Sequence, residues 1–171
     1  MTSVETTSSV VYFLCLHGSA KSLIAAQHFN RLAHEHGLAL HAESMGIEPD
    51  ASVPAPVVMG LARDGLDVRG YLPQPIQSGR LERAMCVVSF GCEIPQATDE
   101  IRRERWDDLP LVSDGFDQAR DAIVVRVAEL VDKLTAKERH LITARSCEDS
   151  GVENRQTSPL HESTKRSAET A

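Results

Sequence analysis

The stretch that decides the fold is Val10-Val11-Tyr12-Phe13-Leu14-Cys15-Leu16-His17-Gly18-Ser19-Ala20-Lys21-Ser22. Its first five residues form an unbroken apolar run, which is typical of a buried parallel strand. A short loop with small residues follows, and the spacing of apolar residues then predicts a helix from Leu23 to His36 that ends at Gly37. A strand, a loop and a helix in this order begin a β-α-β unit.

Cys15 stands where the apolar run ends and the loop begins. The loop and the start of the helix gather backbone N–H groups and the positive end of a helix dipole around one point, which suits a tetrahedral oxyanion. The same field favours a thiolate over a thiol. A buried structural cysteine is the alternative. The loop glycine, the cation at Lys21 and the following helix together favour a nucleophile.

The rest of the chain alternates predicted strands and helices. After the first helix we expect a strand over Leu38 to Met45, a helix from Pro54 or Pro56 to about Asp64-Gly65, and a loop over residues 71–80. We then expect a strand over Met85 to Phe90, a charged surface segment from Asp99 to Arg105, and a short strand at Arg105-Trp106-Asp107. The last predicted element is a helix with Ile123, Val127, Leu130 and Leu134 on one face. Alternating strands and helices imply a parallel sheet covered on both faces. The predicted fold is therefore α/β with three layers, in which helices flank a four-stranded parallel sheet.

Composition predicts one domain and a tail. The chain has 171 residues, of which 42% are hydrophobic and 25% charged, as expected of a soluble domain with one core. We expect a flexible N-terminus at 1–9, the domain at 10–135 and a disordered tail at 136–171, where apolar periodicity fades into Ser, Thr, Glu and Lys. Lys137 to Ala144 are compatible with an extension of the last helix.

The charge distribution limits the expected partners. The net charge is −7, and residues 136–171 hold six basic and six acidic residues, so the excess lies on residues 1–135. An acidic domain without a basic stripe predicts neither a nucleic acid nor a membrane as partner. Met1 to Ser9 lack a basic and an apolar signal region, and no apolar run reaches the roughly 20 residues that span a bilayer. We therefore expect a cytoplasmic protein.

Cysteine and histidine spacing predicts free thiols and no metal. The four cysteines, at 15, 86, 92 and 147, fit neither a secreted disulfide framework nor a zinc motif. Four histidines, at 28, 34, 36 and 41, lie on or beside the first helix without forming a set of metal ligands.

The loop after Cys15 resembles the active-site loop of the low-molecular-weight protein tyrosine phosphatases and of the arsenate reductases built on that fold. Their motif is Cys, five residues, Arg, and then Ser or Thr. Here Lys21 takes the Arg position and Ser22 follows it. Because Arg grips two oxygens as a planar fork and Lys is a hydrated point charge, we expect Lys21 to hold the transition state less firmly.

The resemblance covers about residues 9–134. Ser44 to Pro49 and Val57 to Pro73 are similar to the second strand and second helix of the arsenate reductase branch, and Gly65 to Gly70 to the exit of that helix. Ala84 to Cys92 is similar to the third strand and the loop after it, where arsenate reductases often carry a second thiol. These features lean towards that branch.

The resemblance implies a role for each residue of the loop. Cys15 would attack a phosphorus or arsenic centre. Backbone N–H groups from Leu16, His17, Gly18, Ser19, Ala20 and Lys21, with the Lys21 ammonium, would hold the oxyanion. Ser22 would stabilise the thiolate through its hydroxyl, or would only cap the helix.

The family's general acid is an Asp, usually followed by Pro. This chain instead reads Trp106-Asp107-Asp108-Leu109-Pro110, with Asp114 further on. We take Asp108 as the first candidate for the acid and Asp107 as the second, whereas a solvated acidic loop is the alternative.

Cys92 bears on which reaction is catalysed. A reductase of the relay type needs another thiol to resolve the adduct on Cys15, whereas a phosphatase needs only water. Cys92 follows the third strand and is expected at the same sheet edge as Cys15, as the resolving thiol or as an ordinary loop thiol. Cys86 is expected in the core.

The sequence thus predicts a cysteine-nucleophile enzyme acting on a tetrahedral oxyanion, leaning to arsenate reduction through a Cys15 adduct. The alternatives are a phosphatase on phosphotyrosine or a small phosphomonoester, and an impaired member that only binds an oxyanion or a phosphorylated partner. No cofactor is expected beyond a thiol reductant, such as thioredoxin or a low-molecular-weight thiol.

Overall fold

The computed structural model describes residues 10–94 and 101–148. Within these two ranges the elements are, in order, β1 (Val10–Cys15), α1 (Lys21–Glu35), β2 (His41–Gly46), α2 (Ala55–Arg63), α3 (Ser78–Leu81), β3 (Cys86–Ser89), β4 (Arg102–Arg105) and α4 (Phe116–Glu148).

The four strands form one sheet in the order β2-β1-β3-β4, and every neighbouring pair is parallel. The prediction of an α/β fold with a four-stranded parallel sheet is confirmed. Cys15 is in register with Gly46 of β2, and Leu14 with Ser89 of β3. Three strands therefore deliver their following loops to one edge of the sheet, which is where ligands bind in folds of this type.

Side-chain alternation along β1 divides the core between the two faces of the sheet. Val11, Phe13 and Cys15 pack into a large cluster with buried residues of α1, α2 and α4. Tyr12 and Leu14 point to the other face, into a smaller cluster that includes Leu81 of α3 and Cys92. Cys15 and Cys92 thus belong to different layers of the core.

Several predicted boundaries differ from the structure. The second strand begins at His41 and not at Leu38, because the Leu38 N–H closes the end of α1 by donating to the Ala33 carbonyl. The fourth strand is Arg102–Arg105, within the segment predicted as charged surface, because edge pairing with β3 overrides its charge. Trp106 follows the strand and is buried. The short α3 lies partly in the predicted loop at 71–80.

The last helix extends further than its apolar stripe. It runs from Phe116 to Glu148 and so continues beyond residue 136, where the predicted tail begins. The contacts divide the chain into two units, residues 1–136, which hold the sheet, and residues 137–171, which hold the end of α4. The predicted flexible N-terminus and the remainder of the predicted tail, from residue 149, lie outside the described residues. In the part of the chain that the structure describes, no helix is both long and apolar enough to cross a membrane.

Candidate active site

The site is built around the sulfur of Cys15, which is almost buried at the end of β1. The Gly18 N–H donates a hydrogen bond to Cys15 Sγ over 3.1 Å, and Ser22 Oγ lies 2.8 Å from the same sulfur. Gly18 reaches this position with a φ of 63°, a conformation that glycine adopts at little cost. The sulfur thus has one backbone N–H donor and one hydroxyl that can donate to it.

A second serine supports the first. Ser44 Oγ, from β2, lies 2.8 Å from Ser22 Oγ, and both residues are buried. Ser44 Oγ also lies 3.1 Å from the Gly18 carbonyl oxygen, which can only accept. Each hydroxyl carries one hydrogen, so the Ser22 hydrogen is free to point at Cys15 when Ser44 donates to Ser22 or to this carbonyl. The predicted alternative, that Ser22 caps the helix, does not describe this geometry, because the N-cap of α1 is Ala20 and no side chain caps it.

The loop is fixed against the end of β2. A Cβ added to Gly18 would lie 2.7 Å from the Gly46 nitrogen, and one added to Gly46 would lie 2.6 Å from the Gly18 nitrogen. The carbonyls of the loop also accept hydrogen bonds from the segment after β2, in the pairs Ile47 to Cys15, Glu48 to Leu16 and Asp50 to His17. This close backbone contact holds the loop in one conformation.

A cavity of about 440 Å³ opens beside Cys15. Its walls come from the loop, from the segment after β2, from α2 and from the chain after β4, and consist of Cys15, Leu16, His17, Ser19, Ala20, Lys21, Asp50, Pro54, Pro56, Val57, Phe90, Leu111, Val112 and Ser113. Five of the six predicted oxyanion-binding residues line it. Gly18 does not, and its N–H faces the sulfur instead.

The start of α1 lies at the cavity, because Ala20 and Lys21 line it. No side chain caps this end of the helix, and its first turn contains no acidic residue. The N–H groups of a first turn have no partners within the helix, and they carry the positive end of its dipole. Together with the sulfur, they form a site suited to a small anion.

Lys21 lies on the cavity wall, although its ammonium has a partner there. Nζ donates to the Leu109 carbonyl over 2.8 Å, across to the chain that follows β4. An ammonium has three donors, so two others remain for a bound oxyanion.

The candidate acids are placed elsewhere. Asp108 is exposed and pairs with Arg126 of α4 over 2.6 Å. Asp107 accepts a hydrogen bond from the Gly91 N–H at 2.8 Å and pairs with Arg105 at 3.0 Å. Asp107, Asp108 and Asp114 do not line the cavity. The chain after β4 contributes Leu111, Val112 and Ser113 to the cavity wall instead.

Asp50 is the acidic side chain of the cavity, and the sequence analysis missed it. Asp50 accepts a hydrogen bond from the buried Ser19 hydroxyl, and its other carboxylate oxygen lies 3.4 Å from His17 Nδ1. Asp50 could have been predicted from the order of the strands in the sheet. It follows β2, which lies beside β1, so it reaches the same sheet edge as Cys15.

The other thiols differ from Cys15 in their surroundings. Cys92 is buried on the opposite face of the sheet, and burial, with a smaller effect of the nearby Cys15 charge, raises the pKa of its thiol. It does not line the cavity. Cys86 opens β3 and is buried in the larger core cluster, as expected.

Residues 10–108 match the sequence profile of the low molecular weight phosphotyrosine protein phosphatase family. The chain belongs to this family. Members of the family are enzymes that work through a cysteine. No curated protein sequence matches the chain significantly.

The solved structures with a similar fold include both arsenate reductases and a tyrosine phosphatase. The chain is similar to a thioredoxin-dependent arsenate reductase from Corynebacterium glutamicum, with 20% identity and a TM-score of 0.68 over 78% of this chain. The match spans 65% of that protein's length. An arsenate reductase from Archaeoglobus fulgidus is 25% identical, with a TM-score of 0.55 over 74% of this chain and 98% of that one. A tyrosine phosphatase from Erwinia amylovora is 8% identical, with a TM-score of 0.62 over 78% of this chain and 97% of that one.

Proposed function

We propose that this protein is a cysteine-dependent enzyme in which Cys15 attacks the central atom of a tetrahedral oxyanion. The observation that carries the proposal is the position of Cys15 Sγ, which meets the Gly18 N–H and the Ser22 hydroxyl and lies on a cavity of about 440 Å³. A buried sulfur that had only a packing role would not need two donors and a cavity. The uncapped first turn of α1 supplies the electrostatic stabilisation that the attacked oxyanion needs.

We further propose arsenate as the substrate. A phosphomonoester with a poor leaving group depends on a strong general acid, and the candidates Asp107, Asp108 and Asp114 do not line the cavity. Arsenate exchanges its oxygens with water far more readily than phosphate does, so it depends less on such an acid. In this reaction Cys15 Sγ displaces hydroxide or water from arsenic and forms an arsenic–sulfur bond. A second thiol then attacks Cys15 Sγ, and a disulfide forms as the arsenic–sulfur bond breaks. The electron pair of that bond stays on arsenic, which leaves as trivalent arsenite while the two thiols are oxidised.

The second thiol would be Cys92 or an external reductant. Cys92 is near enough for the Cys15 charge to affect its pKa, but it is buried on the other face of the sheet. Its attack would require the segment at Gly91 to rearrange. An external thiol, from thioredoxin or a small molecule, would enter through the cavity. We place the reaction in the cytoplasm, because free thiols persist there.

One observation favours a second candidate function, the hydrolysis of a phosphomonoester. The cavity is larger than an oxyanion needs, and much of its wall is apolar, from Leu16, Pro54, Pro56, Val57 and Phe90. Such a wall suits the organic group of an ester. An activated aryl ester would be the best substrate in that case, because its leaving group needs little help from an acid.

The test is a parallel assay of wild type and Cys15→Ser on a panel of phosphomonoesters, and on arsenate with thioredoxin or a small thiol as reductant. Arsenate turnover that disappears in Cys15→Ser would support the reductase, and its further loss in Cys92→Ala would identify the intramolecular relay. Ester hydrolysis alone would establish the phosphatase. Inactivity in both assays, with oxyanion binding retained, would replace the enzyme proposal with a binding role.

Lys21→Arg separates a specialised enzyme from a binding protein. The guanidinium would grip two oxyanion oxygens at once, and we expect turnover to rise by about tenfold. A gain of this kind would mark Lys21 as the factor that limits catalysis. Inactivity of both wild type and Lys21→Arg would support a protein that binds an oxyanion without transforming it.

A further inference from the structure

We propose that His17 and Asp50 form a proton-transfer pair, in which His17 protonates the oxygen that leaves and Asp50 orients the imidazole. The inference rests on the second candidate function, the hydrolysis of a phosphomonoester, because it concerns a leaving group displaced by Cys15, and it supplies the acid that Asp107, Asp108 and Asp114 do not. It gives the side chain of His17, a loop residue expected from the sequence to contribute only a backbone N–H, the role of the acid, and it adds Asp50 from outside the loop. Both side chains line the cavity beside Cys15.

A backbone carbonyl and a carboxylate both lie beside one nitrogen of the imidazole. His17 Nδ1 is hydrogen-bonded to the Glu48 carbonyl oxygen at 3.3 Å, and Asp50 Oδ1 lies 3.4 Å from the same nitrogen as an ion-pair partner. The Glu48 carbonyl keeps the Nδ1 hydrogen in place, and the Asp50 carboxylate stabilises a positive charge on the ring. The ring therefore keeps its hydrogen on Nδ1 and can donate a proton from Nε2. A neighbouring acceptor at Nδ1 commonly fixes an imidazole in this way.

Asp50 is itself held in position. The Ser19 hydroxyl donates to its second carboxylate oxygen, Oδ2, and the Asp50 N–H donates to the His17 carbonyl over 3.1 Å. The carboxylate is therefore tied to the same loop that carries the nucleophile. Cys15, His17 and Asp50 form one unit, and a shift of the loop would move all three together.

Access and charge suit a proton donor. The side chains of His17 and Asp50 are 50% and 38% exposed, so the ring can reach a substrate oxygen and exchange its proton with water. The other charged groups on the cavity wall are the Cys15 sulfur, when ionised, and the Lys21 ammonium. Asp107, Asp108 and Asp114 are directed elsewhere, so the wall includes no competing acid from that loop.

The chemistry balances in two steps. The Cys15 thiolate forms a bond to phosphorus with its electron pair, the bond from phosphorus to the leaving oxygen breaks, and that oxygen receives the proton from His17 Nε2. The imidazole is then neutral. It accepts a proton from water as the water oxygen attacks phosphorus, the phosphorus–sulfur bond breaks, and inorganic phosphate leaves with the thiolate restored.

The experiment compares two esters that differ in their need for an acid. For wild type and His17→Gln, kcat/KM is measured on phenyl phosphate, a poor leaving group, and on p-nitrophenyl phosphate, a good one. We expect His17→Gln to lose about 100-fold on phenyl phosphate, a typical contribution of general acid catalysis, and less than about tenfold on p-nitrophenyl phosphate. Asp50→Asn should also lose more kcat/KM on phenyl phosphate than on p-nitrophenyl phosphate. Its losses should be smaller than those of His17→Gln, because the imidazole remains but is less well oriented.

His41→Gln is the matched control. His41 is also an exposed histidine near a carboxylate, 3.9 Å from Glu43, but it lies at the start of β2, at the opposite end of that strand from Gly46. Its substitution should leave both esters unaffected.

Equal losses on the two esters in His17→Gln, or no loss on phenyl phosphate, would overturn the inference. So would a wild type that does not hydrolyse phenyl phosphate, since no acid-assisted departure would then occur. In each of these cases the proposed function stands if turnover of any ester or of arsenate disappears in Cys15→Ser. Turnover that survives in Cys15→Ser would instead remove the proposed function itself.

Discussion

Cys15 and Cys92 are nearly equally buried thiols, 8% and 7% exposed. Cys15 ends β1, and Cys92 follows the neighbouring parallel strand β3. Their surroundings differ. Cys15 Sγ meets the Gly18 N–H and the Ser22 hydroxyl and lies on a cavity, whereas Cys92 packs beside Tyr12, Leu14 and Val87 on the other face.

The difference shows that burial alone does not make a cysteine reactive. Burial without enough compensating polar contacts penalises the charged form, and it raises the pKa of Cys92 from its ordinary value. Cys15 instead has the Gly18 N–H and the Ser22 hydroxyl against its sulfur, and a cavity that gives a substrate access to it. The two thiols therefore serve as an internal comparison, in which the effect of each contact is tested.

The largest expected effect is that of exchanging the sulfur itself. Cys15→Ser should lower turnover at least about 10⁴-fold on any substrate, since a nucleophile is not replaced by its neighbours. Cys92→Ala should stay within about threefold of wild type on phosphomonoesters, which need no second thiol. Steady-state kinetics of the two purified variants measure both. A comparable loss in Cys92→Ala on esters would contradict the division of roles.

A smaller effect should appear in chemical labelling. At neutral pH, iodoacetamide should modify Cys15 at least about tenfold faster than Cys92, because the thiolate is the reactive form and the pKa of Cys92 is raised. Labelling of Cys92 should become appreciable only at a pH above the ordinary value for a thiol. Peptide mapping by mass spectrometry resolves the individual cysteines. Faster labelling of Cys92 would overturn the comparison.

Removing one donor should make Cys15 behave more like Cys92. Ser22→Ala deletes the hydroxyl 2.8 Å from the sulfur and retains the Gly18 N–H. We expect about a tenfold loss of kcat/KM, in the range of one hydrogen bond to a charged group, and slower alkylation of Cys15. Both are measured at one pH against wild type. Ser78→Ala, at the exposed start of α3 and outside the cavity wall, is a suitable control for folding and purity.

The smallest effect is expected at Asp108. Asp108→Asn removes an exposed ion pair with Arg126 and should change kcat/KM by less than about twofold. Its unfolding free energy should fall by less than about 1 kcal/mol. A loss of 100-fold in turnover would instead show that the chain after β4 swings its carboxylate into the cavity when substrate binds.

The parts of the fold that follow from local pattern were predictable from the sequence. The apolar run of β1, the stripe of α4 and the alternation of strands and helices led to a parallel sheet. The position of β4 was not predictable in this way, because Arg102–Arg105 carries no apolar pattern and forms a strand only by pairing with β3. Its edge location leaves charged side chains room to reach solvent.

The site was predictable where its residues are adjacent in the chain. The loop from Cys15 to Ser22 brings the Gly18 N–H and the Ser22 hydroxyl to the sulfur, and the roles of these residues in catalysis stay predictions. Asp50 joins the cavity through the pairing of β2 with β1, and Asp108 is drawn outward by Arg126, 18 residues away. Tertiary contacts of this kind leave no local mark in the sequence.

Gly18 and Gly46 have a consequence for how this protein can be altered. Each faces the backbone of the other, so neither can acquire a side chain, and shrinking a partner offers no compensation because no side chain is there to shrink. A library randomised over the loop would lose every clone with a substitution at Gly18, whatever it carried elsewhere. Changes of specificity would have to come through Leu16, His17 and the apolar wall of the cavity. The distance between the Cys15 loop and β2 is the part of the site that substitutions can change least.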